Sequence, residues 1–313
     1  MHKAVLLKET IEGMSPRSGG TYIDGTLGGG GHAEALLEAS SPDSRLLGLD
    51  RDPDAIERCN SRLLRFGKRF TCVHSDFASM KAVALANGFE NVDGIMLDLG
   101  VSSFQLDEPE RGFSFMSEGP LDMRMDTTRG MTAAEFLASF GDDWRSLAKV
   151  LREFGEEPQS AAIAKAIIAE QLKTPTTTTK KLAEVIEKAV GGRRGAPRHP
   201  ATRSFQALRI AVNRESDQLR DGLEAAIELL AIEGRLVVIS FHSLEDRIVK
   251  HTFAAHEGRM ASLQQGGAKW EGVLPAVARV TKRPAVPSEQ EISDNPRARS
   301  AKLRIVRRVQ NPR

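Results

Sequence analysis

The chain has 313 residues and a formal net charge of only +2, so any contact with nucleic acid must depend on local clusters of basic residues. Its two cysteines, Cys59 and Cys72, exclude a disulfide framework and a cysteine-rich zinc site, and we predict no metal site. Because Lys8, Glu9 and Glu12 interrupt the apolar core that a signal peptide needs, and no segment reaches membrane-spanning length, we expect a cytoplasmic protein without a membrane partner.

The first hundred residues alternate between apolar strands and amphipathic helices. Strands are predicted at 21–26, 45–50, 70–77 and 92–100, and helices at 32–39, 52–66 and 79–88. This alternation predicts a parallel sheet with helices on both faces, and ligands of such sheets lie beyond the carboxyl ends of the strands. The residues at those ends are Asp24, Asp50, Asp76 with Phe77, and Asp98.

The next buried strand is predicted only at 234–241, so an insertion separates it from the fourth strand. Helical apolar spacing recurs within the insertion at Ile163, Ile167, Ile168 and Leu172, and again at Leu182, Val185 and Ile186. We predict a helical domain at 109–212 that interrupts a discontinuous domain formed by 1–108 and 213–313.

Three further predictions concern the C-terminal part. A helix is predicted over 214–234, with an apolar stripe that includes Leu219, Leu223 and Ile227. The stretch 259–277 has little periodicity and is predicted to be a loop or disordered. The alternating segment 301–309 is predicted first to form an edge strand with its charges outward, although the basic tail 297–308 could also add to a nucleic-acid-binding surface.

The glycine-rich stretch GTLGGGGHAEALLE, residues 25–38, indicates a ligand-binding loop. Gly28, Gly30 and Ala33 fit a dinucleotide-binding fingerprint, and Asp50 lies where it could hold a ribose, so a nicotinamide enzyme is one candidate. Asp24 favours S-adenosylmethionine instead, because its carboxylate suits a cationic ligand and would repel a pyrophosphate. A turn or capping role for Asp24 remains an equally good interpretation.

Local motifs offer both structural and functional interpretations. Asp52 and Pro53 can begin a helix while Asp50 faces the ligand. Phe77 is either a core residue or a surface for an adenine ring, with Asp76 near the exocyclic amine.

A basic cluster lies near the end of the predicted insertion. It has no acidic residue and consists of Arg193, Arg194, Arg198, His199 and Arg203. Glycine and proline alternate with these side chains, which favours a loop that binds RNA phosphates over a merely solvated face.

Six motifs occur in a fixed order along the chain: DGTLGGGGH, LDLGVSSFQLD, RGFSF, PLDMRMD, HPATRSFQALRIAVN and VISFHSLEDRIVK. Together they closely resemble the RsmH (MraW) family, ribosomal RNA small subunit methyltransferase H. The resemblance implies a Rossmann-like class I S-adenosylmethionine-dependent methyltransferase domain interrupted by an all-helical domain. It also implies N4-methylation of one cytidine in the decoding region of 16S rRNA, with the small ribosomal subunit as partner.

The same resemblance implies a set of cofactor-binding residues. They are Gly30, Gly31, His32, Asp50, Phe77, Asp98 and Gln105. The family usually has proline where this chain has Phe104, which makes Gln105 the least secure of the set.

The chemistry of the predicted reaction can be compared with the residues present. Carbon methylation of a pyrimidine generally needs a cysteine nucleophile, and neither cysteine follows the fourth strand. An exocyclic amine needs mainly alignment, and Asp98 is a hypothetical catalytic residue that could accept hydrogen bonds from it.

Other residues near the predicted strand ends are assigned provisional roles. Phe113 and Phe115 could form a wall for a flipped base, although packing is the favoured interpretation. Ser243 with Asp246 fits a capping box, which leaves His242 as a possible base contact.

Two alternatives to a methyltransferase stay open at this point: a nicotinamide-dependent oxidoreductase and a non-enzymatic RNA-binding assembly factor with a vestigial fold. The sequence also leaves open whether the protein is a monomer or a homodimer.

Overall fold

The computed structural model describes residues 4–193, 195, 198–262, 268–271 and 274–309, with the backbone alone described for 259–262 and 268–271. The chain separates into two compact units. The sheet unit comprises Met1–Gly100 and Ser216–Arg313, and the helical unit comprises Val101–Glu215. The helical unit therefore begins at 101 rather than at the expected 109, and ends at 215 rather than at 212.

Among the described residues, the strands all lie in the sheet unit. They are β1 (Thr21–Asp24), β2 (Arg45–Asp50), β3 (Phe70–His74), β4 (Val92–Asp98), β5 (Leu230–Ser240), β6 (Arg259–Ser262), β7 (Ala268–Glu271), β8 (Val277–Arg279) and β9 (Lys302–Arg308).

The α-helices are divided between the two units. Those of the sheet unit are α1 (Leu7–Met14), α2 (Gly31–Ala39), α3 (Pro53–Arg62), α4 (Met80–Ala86), α11 (Glu215–Leu229), α12 (Ser243–Glu257) and α13 (Glu289–Asp294). Those of the helical unit are α5 (Ser103–Asp107), α6 (Ala133–Ala138), α7 (Trp144–Gly155), α8 (Ser160–Gln171), α9 (Thr179–Ala189) and α10 (Ala201–Val212).

Seven strands form one sheet in the order β3-β2-β1-β4-β5-β9-β8. The first five are parallel, whereas β9 is antiparallel to β5 and β8 is antiparallel to β9. The order reverses between β1 and β4, and a crevice for a ligand forms at the carboxyl ends of strands that flank such a reversal. This topology confirms the predicted Rossmann-like fold with a helical insertion.

Hydrophobic cores form separately in the two units. Two clusters of buried side chains occupy the sheet unit, and α11 contributes the predicted stripe, with Leu219, Leu223 and Ile227 at most 3% exposed. A third cluster fills the helical unit. Leu172 was predicted to belong to it and does not, because it lies at the end of α8 and is 67% exposed.

Three predictions about the C-terminal part need correction, the first only in where the helix ends. The predicted helix 214–234 ends at Leu229, because Leu230 already pairs with Val92 on β4 before a register shift. The segment 301–309 forms no edge strand, since β9 lies between β5 and β8. The stretch 259–277 contains β6, β7 and the start of β8; strands of three or four residues are too short to produce a periodic signal. Residues 263–267 and 272–273 lie outside the described residues.

Within the described ranges, the structure has no helix with the length and apolar character needed to cross a membrane.

Candidate active site

Three aspartates end adjacent strands of the parallel sheet at the same edge. Asp24 ends β1, Asp50 ends β2 and Asp98 ends β4. The register pairs Asp24 with Met96 on β4, two residues before Asp98. The structure therefore brings these three predicted residues together at the carboxyl edge of the sheet, beside the point where the strand order reverses.

The glycine loop continues from β1 and is anchored to both neighbouring strands. The Gly25 N–H donates to the Met96 carbonyl at 3.0 Å, and the Leu27 N–H donates to the Leu49 carbonyl at 3.1 Å. The Gly28 N–H then donates to Oδ2 of Asp50 at 2.8 Å. One of the site carboxylates is thus part of what holds the loop in place.

The loop turns into α2 through a residue in the left-handed region. Gly30 has φ of 75° and precedes Gly31, the first residue of the helix. A Cβ added to Gly30 would lie 3.1 Å from Sγ of Cys59, so both the backbone angle and the available space favour glycine here. Gly31 follows with Ala4 packed against it.

Asp50 organises the turn after β2 as well as the glycine loop. Its Oδ1 accepts from the Asp52 N–H at 2.8 Å, while Asp52 itself caps α3 by accepting from the Asp54 N–H. Burial raises the pKa of Asp50, and the hydrogen bonds from the Asp52 and Gly28 backbones oppose that rise. Each carboxylate oxygen can accept more than one hydrogen bond, so Asp50 retains capacity for ligand hydroxyls.

Asp24 is connected to Asp98 through one threonine. Asp24 is only 2% exposed, and its Oδ1 accepts from the Thr26 N–H at 3.0 Å in a tight turn. The hydroxyl of Thr26 in turn accepts the Asp98 N–H at 2.6 Å. Burial raises the pKa of Asp24 to about 7 against the Thr26 hydrogen bond, and nearby Asp50 adds to the rise. The turn role that the sequence allowed for Asp24 is therefore present.

Asp98 has a buried side-chain oxygen that lacks a described donor. Oδ1 is buried and accepts no hydrogen bond from the described residues, although 30% of the side chain is exposed. Burial raises the pKa of Asp98 to about 8, and the charges of Asp24 and Glu245 add to the rise. A buried carboxylate oxygen without a donor is costly, and a cationic or hydrogen-bonding ligand would supply the missing interaction.

His32 faces Asp98 from α2 but brings no positive charge to it. Its Nε2 lies 2.9 Å from the Val5 carbonyl, which requires the proton to be on Nε2 and leaves Nδ1 bare, 3.6 Å from Oδ2 of Asp98. Burial lowers the pKa of His32 to about 4, with the Val5 hydrogen bond opposing this. The ring is thus neutral near pH 7, and the 3.6 Å separation is too long for a hydrogen bond.

Phe77 packs against glycines at the end of β3. A Cβ on Gly222 of α11 would lie 2.4 Å from its ring, and one on Gly25 would lie 3.2 Å from the Phe77 Cβ. The ring is half-buried, so it serves the core and also presents a surface to solvent. Asp76 accepts from the Ser79 N–H at 3.0 Å and so caps the short helical turn Phe77–Ser79.

Acidic side chains predominate at this edge, although Arg51, which follows Asp50, is a cation that acts on one of them. Asp24, Asp50 and Asp98 meet there with Glu245 close enough to raise the pKa of Asp98, while His32 is neutral. Such an arrangement attracts a cation and repels a pyrophosphate. The site therefore fits the methyl donor S-adenosylmethionine, which carries a sulfonium and an ammonium group, better than a dinucleotide.

Comparison with known proteins decides between these ligand classes. The model of the MraW methylase family matches residues 1–309. Two curated relatives, both named ribosomal RNA small subunit methyltransferase H, come from Carboxydothermus hydrogenoformans and Syntrophotalea carbinolica. The first is 46% identical over 308 residues and the second 47% over 309, each covering 98% of this chain and 98% of the relative. The chain belongs to the MraW methylase family.

The same comparisons found solved structures of lower similarity. The crystal structure of an rRNA methylase from Streptococcus thermophilus matches with a TM-score of 0.43 and 10% identity, over 99% of each chain. The fold assignment rests on the strand order of the sheet and not on that match.

Membership of the MraW family confirms the predicted resemblance and excludes the nicotinamide oxidoreductase. MraW methylases take their methyl group from S-adenosylmethionine, so this chain is an S-adenosylmethionine-dependent methyltransferase. The acidic edge of the sheet gives that assignment its physical basis.

The turn after β5 corrects one prediction. The capping box at the start of α12 uses His242 and Glu245 rather than Ser243 and Asp246. Nδ1 of His242 accepts from the Glu245 N–H at 3.4 Å, and the Glu245 carboxylate accepts from the Phe241 N–H at 2.8 Å. Nε2 of His242 also lies 3.0 Å from the Glu245 carboxylate. The sequence suggested His242 as a possible contact for the target base. In the structure His242 caps the start of α12 together with Glu245.

Sequence reasoning missed two residues of this MraW site. Thr26 lies within the DGT triplet, where the sequence analysis did not single it out. Its hydroxyl accepts a hydrogen bond from the Asp98 backbone N–H. Glu245 reads as a surface acid on a helix, yet it is 5% exposed. The spacing His-x-x-Glu before an apolar helix was the available signal for Glu245.

Gln105 and the two phenylalanines belong to the helical unit. Gln105 is buried, and it closes a capping box with Ser102 at the start of α5. Phe113 is buried in the core of this unit. The ring of Phe115 lies 4.8 Å from that of Phe205 and 4.6 Å from that of His199. Packing, the favoured interpretation of both phenylalanines, is what the structure shows.

The basic cluster occupies the connection from α9 to α10. Arg198 and Arg203 are exposed, whereas Arg194 lies outside the described residues. His199 is half-buried; its Nδ1 accepts from the Ala201 N–H at 3.1 Å, and its Nε2 lies 3.4 Å from Glu187. His199 thus helps to begin α10.

Both cysteines lie near the site but are held in the thiol form. Cys59 is buried in α3 with Sγ 3.6 Å from the Gly28 carbonyl. Burial, together with the charge of Asp24, raises the pKa of its thiol far above the ordinary value. Burial likewise raises the pKa of Cys72 to about 12, with Asp50 adding to the rise. Neither thiol is available as a thiolate nucleophile at neutral pH.

Proposed function

We propose that this chain transfers the methyl group of S-adenosylmethionine to the N4 amine of a cytidine in the decoding region of 16S rRNA. The observation that carries the proposal is the Asp98 carboxyl, whose buried Oδ1 lacks a donor at the acidic edge of the sheet, in a chain of the MraW family. The relatives are named for small-subunit ribosomal RNA, which supports the choice of substrate.

Each residue at the edge fits a particular chemical group of S-adenosylmethionine. Asp98, close to Asp24, would face its cationic portion, because these carboxyls lack a compensating positive charge. Asp50 has lone pairs left for ribose hydroxyls. Gly30 and Gly31 allow close approach of the backbone, and the half-buried ring of Phe77 offers a surface for adenine.

The chemistry needs a methyl group, an aligned nitrogen and an exit for one proton. When bound, S-adenosylmethionine supplies an electrophilic methyl group on a positively charged sulfur. The methyl group would pass from sulfur to N4, the carbon–sulfur bond breaking as the carbon–nitrogen bond forms, and N4 would then lose one of its hydrogens as a proton. Once ionised, which a bound sulfonium would favour, Asp98 would accept a hydrogen bond from the amine and direct its lone pair towards the methyl. Because its pKa is raised, the ionised carboxylate is a stronger base than an ordinary one.

Thr26 keeps Asp98 in position for this step, and His32 leaves its carboxyl unneutralised. Thr26 fixes its backbone through the 2.6 Å hydrogen bond. His32 stays neutral, with Nε2 committed to Val5, so its bare Nδ1 forms no ion pair with Asp98. The carboxyl is thereby left available to the substrate amine.

The two protonated thiols favour nitrogen over carbon as the methyl acceptor. A carbon-methylating enzyme requires an attacking thiolate beside the pyrimidine, and neither Cys59 nor Cys72 provides one. An amine acceptor requires only the alignment that Asp98 provides.

The helical unit is proposed to recognise the RNA. Arg198 and Arg203 are exposed in and beside the α9–α10 connection, where their guanidinium groups can contact phosphates; Arg194 and His199 complete the proposed set. Gln105 remains a proposed cofactor contact, carried over from the family motif. The small ribosomal subunit as assembled partner, a cytoplasmic location, and a monomeric or homodimeric state belong to the same proposal.

The test is a methylation assay with tritiated S-adenosylmethionine and isolated small subunits, followed by mass spectrometry of the digested 16S rRNA. We expect label in a single cytidine with the mass and retention of N4-methylcytidine. Label at carbon 5, or none in the RNA, would refute the proposal. Calorimetric titration with S-adenosylmethionine tests the remaining alternative, a non-enzymatic RNA-binding assembly factor. A protein with such a vestigial site would not bind S-adenosylmethionine.

A further inference from the structure

A cationic cleft lies in the sheet unit and is lined by none of the acidic edge residues. It is formed by α12, by the antiparallel strands β8 and β9, and by the segment 281–284. Phe253 and Ile305 contribute apolar surface. Its charged lining is entirely positive and consists of Lys250, Arg279, Arg283 and Arg304.

Only part of this positive charge is neutralised by neighbouring carboxylates. Glu257 pairs with Arg279 at 2.8 Å. Asp246 pairs with Arg304 at 2.7 Å and also with Lys302 at 2.9 Å.

Lys250 and Arg283 are exposed and form no ion pair with any residue in the described ranges. Counting Lys302, five cations therefore face two carboxylates. The cleft retains a net positive charge.

Arg304 is fixed at the base of this arrangement. Its Nε donates to Oδ1 of Asp246 on the first turn of α12, and its side chain is only 16% exposed. Although burial opposes it, the hydrogen bonds and charges of Arg304 and Lys302 hold the pKa of Asp246 below its ordinary value, so the pair stays ionised at neutral pH. A guanidinium held in this way loses little rotamer freedom when it binds an anion.

The strand register places the cleft close to the proposed site of methyl transfer. Leu303, the neighbour of Arg304 on β9, pairs with Ile239 on β5, which pairs with Asp98 on β4. Two strand spacings separate Asp98 from Leu303, or about 10 Å along the sheet. An RNA strand with its target base near Asp98 can reach the cleft with a phosphate only a few nucleotides away.

We propose that this cleft binds a phosphate of the substrate RNA backbone on the side of the site next to α12. Guanidinium and ammonium groups around one concavity match the charge and hydrogen-bonding oxygens of a phosphodiester. The inference rests on the proposed function, because it takes the RNA as the ligand. It adds a second basic surface, in the sheet unit, to the one proposed in the helical unit.

The test reverses the two charges that have no ion pair, in the full-length protein. Lys250→Glu and Arg283→Glu are compared with Lys68→Glu, a matched reversal of an exposed lysine just before β3, at the amino edge of the sheet. Binding of a fluorescent 16S rRNA fragment is measured by anisotropy at several salt concentrations. Affinity for S-adenosylmethionine and the melting temperature are measured alongside.

We expect each cleft reversal to weaken RNA binding by about 3- to 10-fold. The slope of the logarithm of the RNA-binding constant against the logarithm of the salt concentration should also become shallower by roughly one, the value for one phosphate contact, while the affinity for S-adenosylmethionine stays unchanged. Lys68→Glu should bind like the wild type. If a reversal lowers the melting temperature markedly, Lys250→Gln and Arg283→Gln replace it, with the same expected direction.

Two results would overturn the proposal. One is RNA binding by the cleft variants equal to that of Lys68→Glu. The other is unchanged binding of the free RNA fragment with loss only on assembled subunits, which would indicate a protein contact. A wild type that does not methylate 16S rRNA refutes the proposed function itself, whereas methylation by the wild type with unaffected cleft variants refutes the cleft alone.

Discussion

β4 carries an aspartate near each of its ends, and the two carboxylates have opposite hydrogen-bonding environments. At the amino end, Asp93 has a donor on each oxygen: the Thr21 N–H at 2.8 Å and the Arg17 guanidinium at 2.6 Å. At the carboxyl end, Asp98 has a buried Oδ1 without a described donor, and its Oδ2 lies 3.6 Å from His32.

This contrast separates an acid that stabilises the fold from an acid that is kept for a ligand. The strand and the residue type are the same, so the difference comes from the surroundings at the two ends of the strand. An unsatisfied buried acceptor costs about 1–3 kcal/mol of folding free energy. Such a cost is expected at a functional site, where an unfavourable local arrangement is retained for binding or catalysis.

The largest expected effect comes from exchanging each aspartate for asparagine. Asp98→Asn should lower methyl transfer at saturating donor by about 100-fold or more, because the proton acceptor for N4 is lost. Asp93→Asn should leave the rate within about threefold and cost at most about 1 kcal/mol of stability, because the Arg17 ion pair that is lost is largely exposed to solvent. Single-turnover assays and thermal melts measure both quantities. Unchanged turnover in Asp98→Asn would exclude a catalytic role and leave Asp98 as a cofactor contact.

The next effect tests the support of Asp98 by Thr26. Thr26→Val removes the hydroxyl that accepts the Asp98 N–H and should lower methyl transfer by about 10-fold, since a hydrogen bond of about 1–3 kcal/mol is lost at a buried group. Thr26→Ser keeps the hydroxyl and should retain most of the activity. Equal activity in the two variants would show that this hydrogen bond does not position Asp98.

A smaller effect concerns the pH dependence of stability without cofactor. The pKa of Asp98 is about 8 in the fold and near 3.8 when unperturbed, so the folded state holds the proton more tightly. Its stabilising contribution is fully present below pH 3.8 and is lost as pH rises towards 8. The melting temperature of Asp98→Asn should therefore rise relative to wild type by a few °C, roughly, between pH 5 and pH 8. A difference that stays constant over this range would contradict the raised pKa.

The smallest expected effect lies in the helical unit, away from the sheet altogether. Arg198→Glu and Arg203→Glu should raise the KM for RNA by about 3- to 10-fold with kcat and donor affinity unchanged, since phosphate contacts contribute to binding rather than to chemistry. Lys173→Glu is the control, an exposed lysine of the same unit outside the basic cluster. A fall in kcat at saturating RNA would contradict the assignment of these arginines to binding.

Much of the sheet unit could be predicted from the sequence because its signals are local. The alternation of strands and helices gave the first four parallel strands, and the last residue of each strand placed Asp24, Asp50 and Asp98 at one edge. The spacing of Asp52 and Pro53 correctly predicted the start of α3.

What the sequence could not reveal depends on distant partners or unusual chemistry. The donors of Asp98 and Asp93 come from other strands and loops, so the difference between the two is invisible in the sequence. The capping box of α12 was misplaced by one residue because histidine is not among the preferred capping residues. The position of β9 within the sheet depends on β8, a strand of only three residues.

The central claim is that the acidic carboxyl edge of the sheet binds the cationic methyl donor through Asp98. Calorimetric titration with S-adenosylmethionine of the wild type, Asp98→Asn and Asp93→Asn, all at the same pH and salt, tests it most directly. The account predicts affinity weakened by about 10-fold or more in Asp98→Asn, the scale of one lost charge-assisted interaction, and wild-type affinity in Asp93→Asn. Equal affinity in Asp98→Asn and the wild type would contradict it.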